Sequence, residues 1–402
     1  MEERDLKIPI TKLTLDDKEA EAVKQVLASG WLIQGAKVKE LEETLRKYVS
    51  SDYAVACSSC TTALHMGLIA IDVNRGDRVI VPAFTFVATP NAVEYVGARP
   101  VFADIDIDTF NIDCGDAAKR ITALSTESGA KTTAIIPVHL FGMCADMRRV
   151  DELARSCGLV VLEDAACALG STYRGRYAGA LGAAGCYSFH PRKSLTTGEG
   201  GLLVTDDKLV YTAVHSLRDF GFESTNLERH KTATASMPEV RILGFNFRMT
   251  DIAAAIGIEQ FKKFQYTING RQQLAEVYDK ELAGMPWLKL PTVAPGCNHT
   301  YQSYVTLIWD ESLRKPTEEK IDRLEERRNR FVAHLTDSGI FTRQGTQAVH
   351  ALDYYQRKYK IKGMDFPFAW MAARLSVTLP LFPQMTDEEQ GYVITKIREF
   401  KP

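Results

Sequence analysis

Long hydrophobic runs are missing from this sequence: nowhere do about 18 apolar residues follow one another, so no membrane-spanning helix is expected. The first ten residues, MEERDLKIPI, place no apolar core behind a basic start, which speaks against a signal peptide and for a cytoplasmic protein. An excess of one charge is missing too. Forty-nine basic and 51 acidic residues leave a formal charge of -2, without the basic surplus that nucleic acid or an anionic membrane attracts. Cysteine is sparse, with eight in 402 residues, mostly in apolar or strand-like runs, as free thiols are in a reducing compartment. Cys57 and Cys60 have CxxC spacing, but no second pair or matching histidines complete a zinc site, so no metal and no structural disulfide is expected. No GxGxxG follows an early strand, which sets aside a dinucleotide-binding oxidoreductase. Internal repeats and low-complexity segments are absent as well.

What is present is an ordinary globular composition, 45% hydrophobic and 25% charged. The length suggests two or three domains. Short apolar runs alternate with amphipathic segments between about residues 50 and 210. Strands are expected over Asp77 to Phe84, Arg99 to Ile105, Thr133 to Gly142, Leu159 to Ala165, Gly185 to His190 and Gly201 to Asp207. Several are apolar throughout rather than alternating, which suits strands covered on both faces. Helical patterns lie between them, including ADMRRVDELARSCG, which stops at a glycine after Cys157. The reading is α/β, a mostly parallel sheet in a large domain over 1–260, with a smaller α+β domain over 261–402. In the second part SYVTLIWD reads as a strand and RNRFVAHLTDSGI as a helix capped by Asn329 and ended near Gly339. RKPTEEKIDRLEERRNR reads as a solvated helical face. The polar stretch from Phe222 to Leu243 is long enough to be functional or mobile.

Open α/β sheets bind ligands beyond the carboxyl ends of their strands, so chemistry-bearing residues are sought there. Phe86, His139, Gly142, Asp164 and Lys193 all follow or close a predicted strand. Lys193 stands in SFHPRKSLTTGEGG, where Gly198, Gly200 and Gly201 allow close backbone approach. A lysine packed at a strand end can lose its proton more easily than in water, as Schiff-base chemistry requires. Asp164 closes an apolar strand, where it is either a helix N-cap or a carboxylate that keeps a pyridine nitrogen protonated. Ser59, Cys60 and Thr61 open a helical pattern and could form a phosphate cup, although capping alone accounts for any one of them. Together with an aromatic platform at Phe86, these residues define a pyridoxal phosphate site.

On those residues, and on SGWLIQGAKVKELE, VPAFTFVATPNAVEYVGARPVFADID, PVHLFG, EDAACALGS and LGFNFRMTDIAAAIGIEQ, the sequence closely resembles the DegT/DnrJ/EryC1/StrS family of pyridoxal phosphate-dependent sugar aminotransferases. The resemblance covers nearly the whole chain. It implies a fold-type I, aspartate aminotransferase-like transferase that moves an amino group, from glutamate, onto a nucleotide-linked keto-deoxysugar. By the same resemblance Lys193 would form the Schiff base with pyridoxal 5'-phosphate and shuttle the proton. Asp164 would pair with the ring nitrogen, Phe86 would lie against the ring, and Ser59, Cys60, Thr61 and Ser188 would surround the phosphate. Asn246 would reach the phosphate of a neighbouring subunit, implying a homodimer with shared sites. Arg248 is either a residue of that shared site or a structural ion-pair partner. Three positions depart from the family pattern. Cys167 stands where Gln or His meets the cofactor's phenolic oxygen, Cys60 replaces a glycine in the phosphate turn, and Phe220 makes RDHG into RDFG. A sugar dehydratase would carry histidine at the lysine position, and a non-catalytic regulator would not need the amine, so Lys193 disfavours both.

Overall fold

The computed structural model describes residues 7–124, 130–222 and 239–402. Seven strands form its main sheet: β1 (Tyr53–Cys57), β2 (Arg78–Pro82), β3 (Arg99–Ala103), β4 (Thr132–Ile135), β5 (Val160–Asp164), β6 (Ala184–Ser188) and β7 (Gly201–Thr205). Their spatial order is β1-β7-β6-β5-β4-β2-β3. From β6 to β3 every pairing is parallel, whereas β7 runs antiparallel to both β1 and β6. Alternate side chains of the apolar strands enter different cores. Val79 and Val81 join one buried cluster and Ile80 the other, which is why β2 tolerates no polar face.

All six expected strands form, but one is much shorter than its apolar run. Thr133 to Gly142 was expected as a single strand, yet β4 ends at Ile135. Pro137 has no N–H to offer a ladder, and the chain then tightens into a 3₁₀ turn over Leu140–Gly142 with Phe141 at φ 59°. The turn brings the His139 N–H to the Asp164 carbonyl at 2.9 Å.

A second, antiparallel sheet has Tyr304–Ile308 between Leu288–Lys289 and Ser376–Leu379. The helix beside it is longer than expected, Glu318–Asp337, and its cap is Thr317, whose hydroxyl accepts from the Lys320 N–H. Asn329 is therefore interior to the helix. A threonine followed by Glu318 and Glu319 in the first turn is the stronger start, because acidic groups there complement the helix dipole. That charged face is not wholly solvated, since Glu318, Asp322 and Glu325 all pair with Arg374 of the helix Pro367–Leu375.

The two sheets are tied together close to the strand ends. Asp104, just past β3, accepts from the N–H groups of Phe368 at 3.0 Å and Ala369 at 2.7 Å. Phe84–Thr85 pairs with Gln347–Ala348. Residues 223–238 of the polar stretch lie outside the described residues, and among the described residues no helix is long and apolar enough to cross a membrane.

Candidate active site

The chain reverses its winding between β2 and β4. β3 lies to one side of β2, and β4 to β7 are laid down in succession on the other. A crevice opens at such a switch point; Phe86 and His139 follow the two strands beside it, but the His139 ring is fully buried. Asp164 ends β5, one strand further along. Its side chain is 5% exposed; Oδ2 accepts from the Thr89 hydroxyl at 2.7 Å and Oδ1 from the Ala166 N–H at 3.1 Å. Hydrogen bonds to a charged acceptor stabilise by about 1.5–3 kcal/mol each, so the carboxylate is fixed in place. The preceding Glu163 points to the opposite face of the sheet. It accepts from His139 Nε2 at 2.7 Å and from the N–H groups of Gly179, Leu181 and Gly182. Since His139 Nδ1 accepts from the Ala145 N–H, the ring proton belongs on Nε2, directed at Glu163.

Past β6 the chain makes a loop that closes on Phe189, whose N–H donates to the Gly200 carbonyl and whose carbonyl accepts from the Thr197 N–H and the Thr196 hydroxyl. Lys193 projects from this closed loop, and its Nζ donates to Cys167 Sγ at 3.0 Å. The expected easing of its proton loss is not what the site provides. Burial does act against the charge and is the largest single influence. It is outweighed by Cys167, with Cys60 and Asp164 behind it, and the pKa stands above the ordinary lysine value. Lys193 thus faces the Cys167 sulfur with the Asp164 carboxylate nearby, which is the reverse of an apolar pocket.

Ser59 caps the helix Cys60–Ala70, accepting from the Thr62 N–H while its own N–H donates to Thr62 Oγ1. The capping reading and the cup reading are thus compatible. The first turn holds no acidic residue, and the N–H groups of Cys60 and Thr61 remain at a positive helix end suited to an anion. The Cys60 thiol is buried and pushed well above its usual pKa, first by burial and then by Asp164, so this residue offers backbone rather than a thiolate. Gly201 sets how closely β7 approaches the cup. A side-chain carbon there would lie 2.3 Å from the Ser59 carbonyl carbon and 2.5 Å from the Cys60 nitrogen, and glycine alone avoids the clash. In register, Cys57, Gly201 and Ser188 stand side by side at this end of β1, β7 and β6. Phe86 is 63% exposed, an apolar ring presented to the crevice mouth.

Phe220 and the segment Phe245 to Arg248 form a third element. The Phe220 N–H donates to the Phe245 carbonyl, the Phe247 N–H to the Arg218 carbonyl and the Ser58 N–H to the Phe247 carbonyl, so the loop that carries Asn246 is stitched to the turn before the cup. Arg248 pairs with the buried Asp219 and lies over the Phe220 ring at 4.9 Å. The RDFG departure therefore has a packing role, an aromatic face beneath a guanidinium. Sequence reasoning did not find Thr89 or Glu163. Thr85, on the short strand before the helix, and Thr89, in the helix's first turn, stand 3.1 Å apart, a pairing across a strand-to-helix turn that no periodic pattern announces.

With these elements in place, the residues fit pyridoxal phosphate: an amine, a fixed carboxylate, an exposed ring and a helix N-terminus stand around one crevice. Comparisons with known proteins point the same way. Residues 13–398 match the model of the DegT/DnrJ/EryC1/StrS aminotransferase family. The chain is 34% identical to GDP-perosamine synthase of Escherichia coli O157:H7, covering 98% of each chain. It is 33% identical to the spore coat polysaccharide biosynthesis protein SpsC of Bacillus subtilis, covering 98% of this chain and 96% of that one. Among solved structures it is similar to the PLP form of Spr1654 from Streptococcus pneumoniae, at 27% identity and a TM-score of 0.84 over 98% of each chain.

Proposed function

We propose that this chain, which belongs to the DegT/DnrJ/EryC1/StrS aminotransferase family, transfers the amino group of glutamate to a keto group of a nucleotide-linked deoxysugar. It is a pyridoxal phosphate-dependent sugar aminotransferase; the nucleotide, the keto sugar and the donor are our reading. Bound pyridoxal phosphate supplies an electron sink next to the reacting carbon. The protein's share of the work is positional and protonic.

Lys193 Nζ takes the proton from the donor's α-carbon and returns one in the second half reaction, acting as base and acid in turn. Its raised pKa while it faces Cys167 keeps the free amine charged, so Cys167 holds it in place until a ligand displaces that contact. Asp164, fixed by Thr89 and Ala166, keeps the ring nitrogen protonated. Phe86 covers one ring face. The N–H groups of Cys60 and Thr61, the Ser59 and Ser188 hydroxyls and Asn246 from a second copy hold the phosphate, which makes the working unit a cytoplasmic homodimer. The division near Gln260 into a cofactor domain and a smaller C-terminal domain belongs to the same reading. Reaction in two halves through one site gives ping-pong kinetics.

The observation that carries this reading is that the loop after β6 sets Lys193 Nζ on Cys167 Sγ, three residues past the Thr89-bonded Asp164 that ends the adjacent strand β5. Incubating the holoenzyme and glutamate with UDP-, dTDP- and GDP-linked 3-keto and 4-keto sugars, followed by mass spectrometry, tests it. The relative named GDP-perosamine synthase is a reason to try GDP sugars first. Amination of one sugar supports the reading; loss of water without amination would turn it into a dehydratase, and binding without turnover across the panel would leave only a regulator.

A further inference from the structure

Two cysteines that the aminotransferase chemistry does not use meet where the segment leading into the second sheet crosses the main sheet's turn. Cys144 lies just past the 3₁₀ turn Leu140–Gly142 and is buried; Cys297, 153 positions later, is half-buried. Successive contacts lay the two segments side by side in opposite directions. The Ser303 N–H donates to the Phe141 carbonyl at 3.3 Å and the Thr300 N–H to the Gly142 carbonyl at 3.2 Å. At the next step Cys297 Sγ stands 3.9 Å from the Cys144 carbonyl oxygen. Gly142 permits the approach, since a side-chain carbon there would lie 2.6 Å from Thr300 Oγ1 and 3.0 Å from the Gln302 nitrogen. Both cysteines are also held from a third side. Cys297 pairs with Tyr173 on the strand Thr172–Tyr173, and the Tyr173 hydroxyl donates at 2.8 Å to Asp146, two residues past Cys144.

A hydrogen bond between the two thiols divides their roles. With the Cys144 S–H donating, the Cys297 thiolate is favoured and its pKa falls below the usual thiol value, although burial and Asp146 act against it. Cys144 is kept protonated, first by that same bond and then by burial. The thiolate is the form that attacks an oxidant, so the more exposed Cys297 reacts first with its partner already in place. The CxxC pair is arranged otherwise: Cys57 and Cys60 are both buried, and Cys57 Sγ donates to the Ser59 carbonyl at 3.2 Å.

We propose that Cys144 and Cys297 form an oxidative modification site, at which hydrogen peroxide produces a reversible disulfide that clasps the entry to the second sheet onto the main sheet's turn. The Cys297 sulfur takes one oxygen from the peroxide, breaking the O–O bond, and becomes a sulfenic acid as water leaves. The Cys144 sulfur then attacks it: the S–O bond breaks, the S–S bond forms, and the Cys144 proton departs with the hydroxyl as a second water. The two sulfurs lose two electrons and the peroxide gains them. In a reducing compartment a disulfide of this transient kind is the one expected, not a structural one. The site goes beyond the aminotransferase reading and does not depend on its donor or its sugar.

The clasped segment reaches the lysine loop, because Gln302 Nε2 donates at 2.9 Å to the carbonyl of Arg192, the residue before Lys193. To test the site, the holoenzyme is treated with hydrogen peroxide, its remaining thiols are alkylated, and it is digested without reductant. A peptide joining Cys144 to Cys297 is expected, two hydrogens lighter than its parts, and it should disappear after dithiothreitol. Cys144→Ala removes the resolving thiol, so dimedone should capture a sulfenic acid on Cys297; Cys297→Ser should abolish both the bridge and the capture. Amide hydrogen exchange over 297–303 should slow about tenfold on oxidation and recover on reduction.

Recovery of Cys144 and Cys297 as alkylated thiols while Cys157, Cys167 or a Cys57–Cys60 bridge takes the oxidation would overturn the site. Dimedone capture on Cys144 in preference to Cys297 would reverse the order of attack and dismiss the mechanism. A bridge that leaves exchange over 297–303 unchanged would remove the clasp. Mapping the wild type needs no variant, so a substitution that fails to fold does not shield the proposal. No readout uses turnover, and failure of the keto-sugar panel would leave this site standing.

Discussion

The two walls of the crevice treat their polar groups differently. On the strand-end wall Asp164 is held by hydrogen bonds, and so is Glu163 behind it on the opposite face of β5. Asp164 has the Thr89 hydroxyl and the Ala166 N–H, and Glu163 has four donors. On the wall contributed by the second sheet, the short segment 342–347 holds three buried polar atoms without partners: Thr342 Oγ1, Arg343 Nε and Gln347 Oε1. Each such atom costs about 1–3 kcal/mol. The first wall is arranged before any ligand arrives, which is what pre-organised catalysis needs. The second leaves these atoms without partners among the described residues, and of the three residues Arg343 lines the cleft beside the lysine loop, as Arg192 does. Substitutions on the first should lower kcat with little change in donor affinity; those on the second should alter affinity or stability first.

The sharpest way to break that contrast is Lys193→Ala. Turnover should fall by about 10⁵-fold or more, and borohydride treatment, digestion and mass mapping should find no pyridoxyl adduct, against an adduct on Lys193 in the wild type. A wild-type adduct on any other lysine would move the chemistry to a different loop. Asp164→Asn comes next, with kcat down about 10³-fold and the KM for the donor within a few-fold. Were KM to carry most of the loss, the strand-end wall would be a binding wall after all.

His299 probes the second wall through pH. The ring is buried, stacks on Tyr301 at 4.0 Å, and its Nδ1 accepts from the Tyr301 N–H. Burial pushes its pKa down from 6.5 to about 3. The unfolded chain takes up a proton below about pH 6.5 and the folded chain does not until about pH 3, so this residue's stability contribution is complete above the first value and is lost as pH falls toward the second. Between pH 7 and pH 5 that loss is on the order of 2 kcal/mol. His299→Gln should remove it, which urea unfolding at the two pH values would measure as a smaller drop for the variant. An equal drop would mean that the folded ring titrates freely.

How much of this could be read beforehand divides along the same line. Lys193, Asp164, Phe86 and the Ser59 turn lie in local patterns, a strand followed by a turn or a helix start, and period and punctuation are local signals. The parallel sheet followed from the same runs, and the excess length assigned to β4 followed from trusting apolarity past Pro137. The second wall has no local signature. Arg343 gains its meaning from Arg192, 151 positions earlier, and the helix start at Thr317 lies inside a charge run that hides it and leaves Asn329 as the visible cap pattern. Long-range pairings of this kind are decided by packing, which a single sequence does not display.

Thr89 lies between these cases and gives the smallest effect. It was not legible as a functional residue, yet it belongs to the strand-end wall. Thr89→Val keeps the shape and removes the hydroxyl, leaving Asp164 with the Ala166 N–H and leaving Thr85, 1% exposed, without its neighbour at 3.1 Å. A buried carboxylate that has lost one of two donors is harder to keep ionised, so the ring nitrogen would be held less firmly. The expected loss in kcat is about tenfold, equivalent to about 1.4 kcal/mol, with the donor KM unchanged and the pH titration of the bound cofactor's absorbance displaced. Arg343→Leu in the same background should then multiply independently, because the two residues act on opposite walls and in different quantities. A combined loss well short of the product would show that both walls position one and the same atom, and the distinction between a chemical wall and a recognition wall would have to be given up.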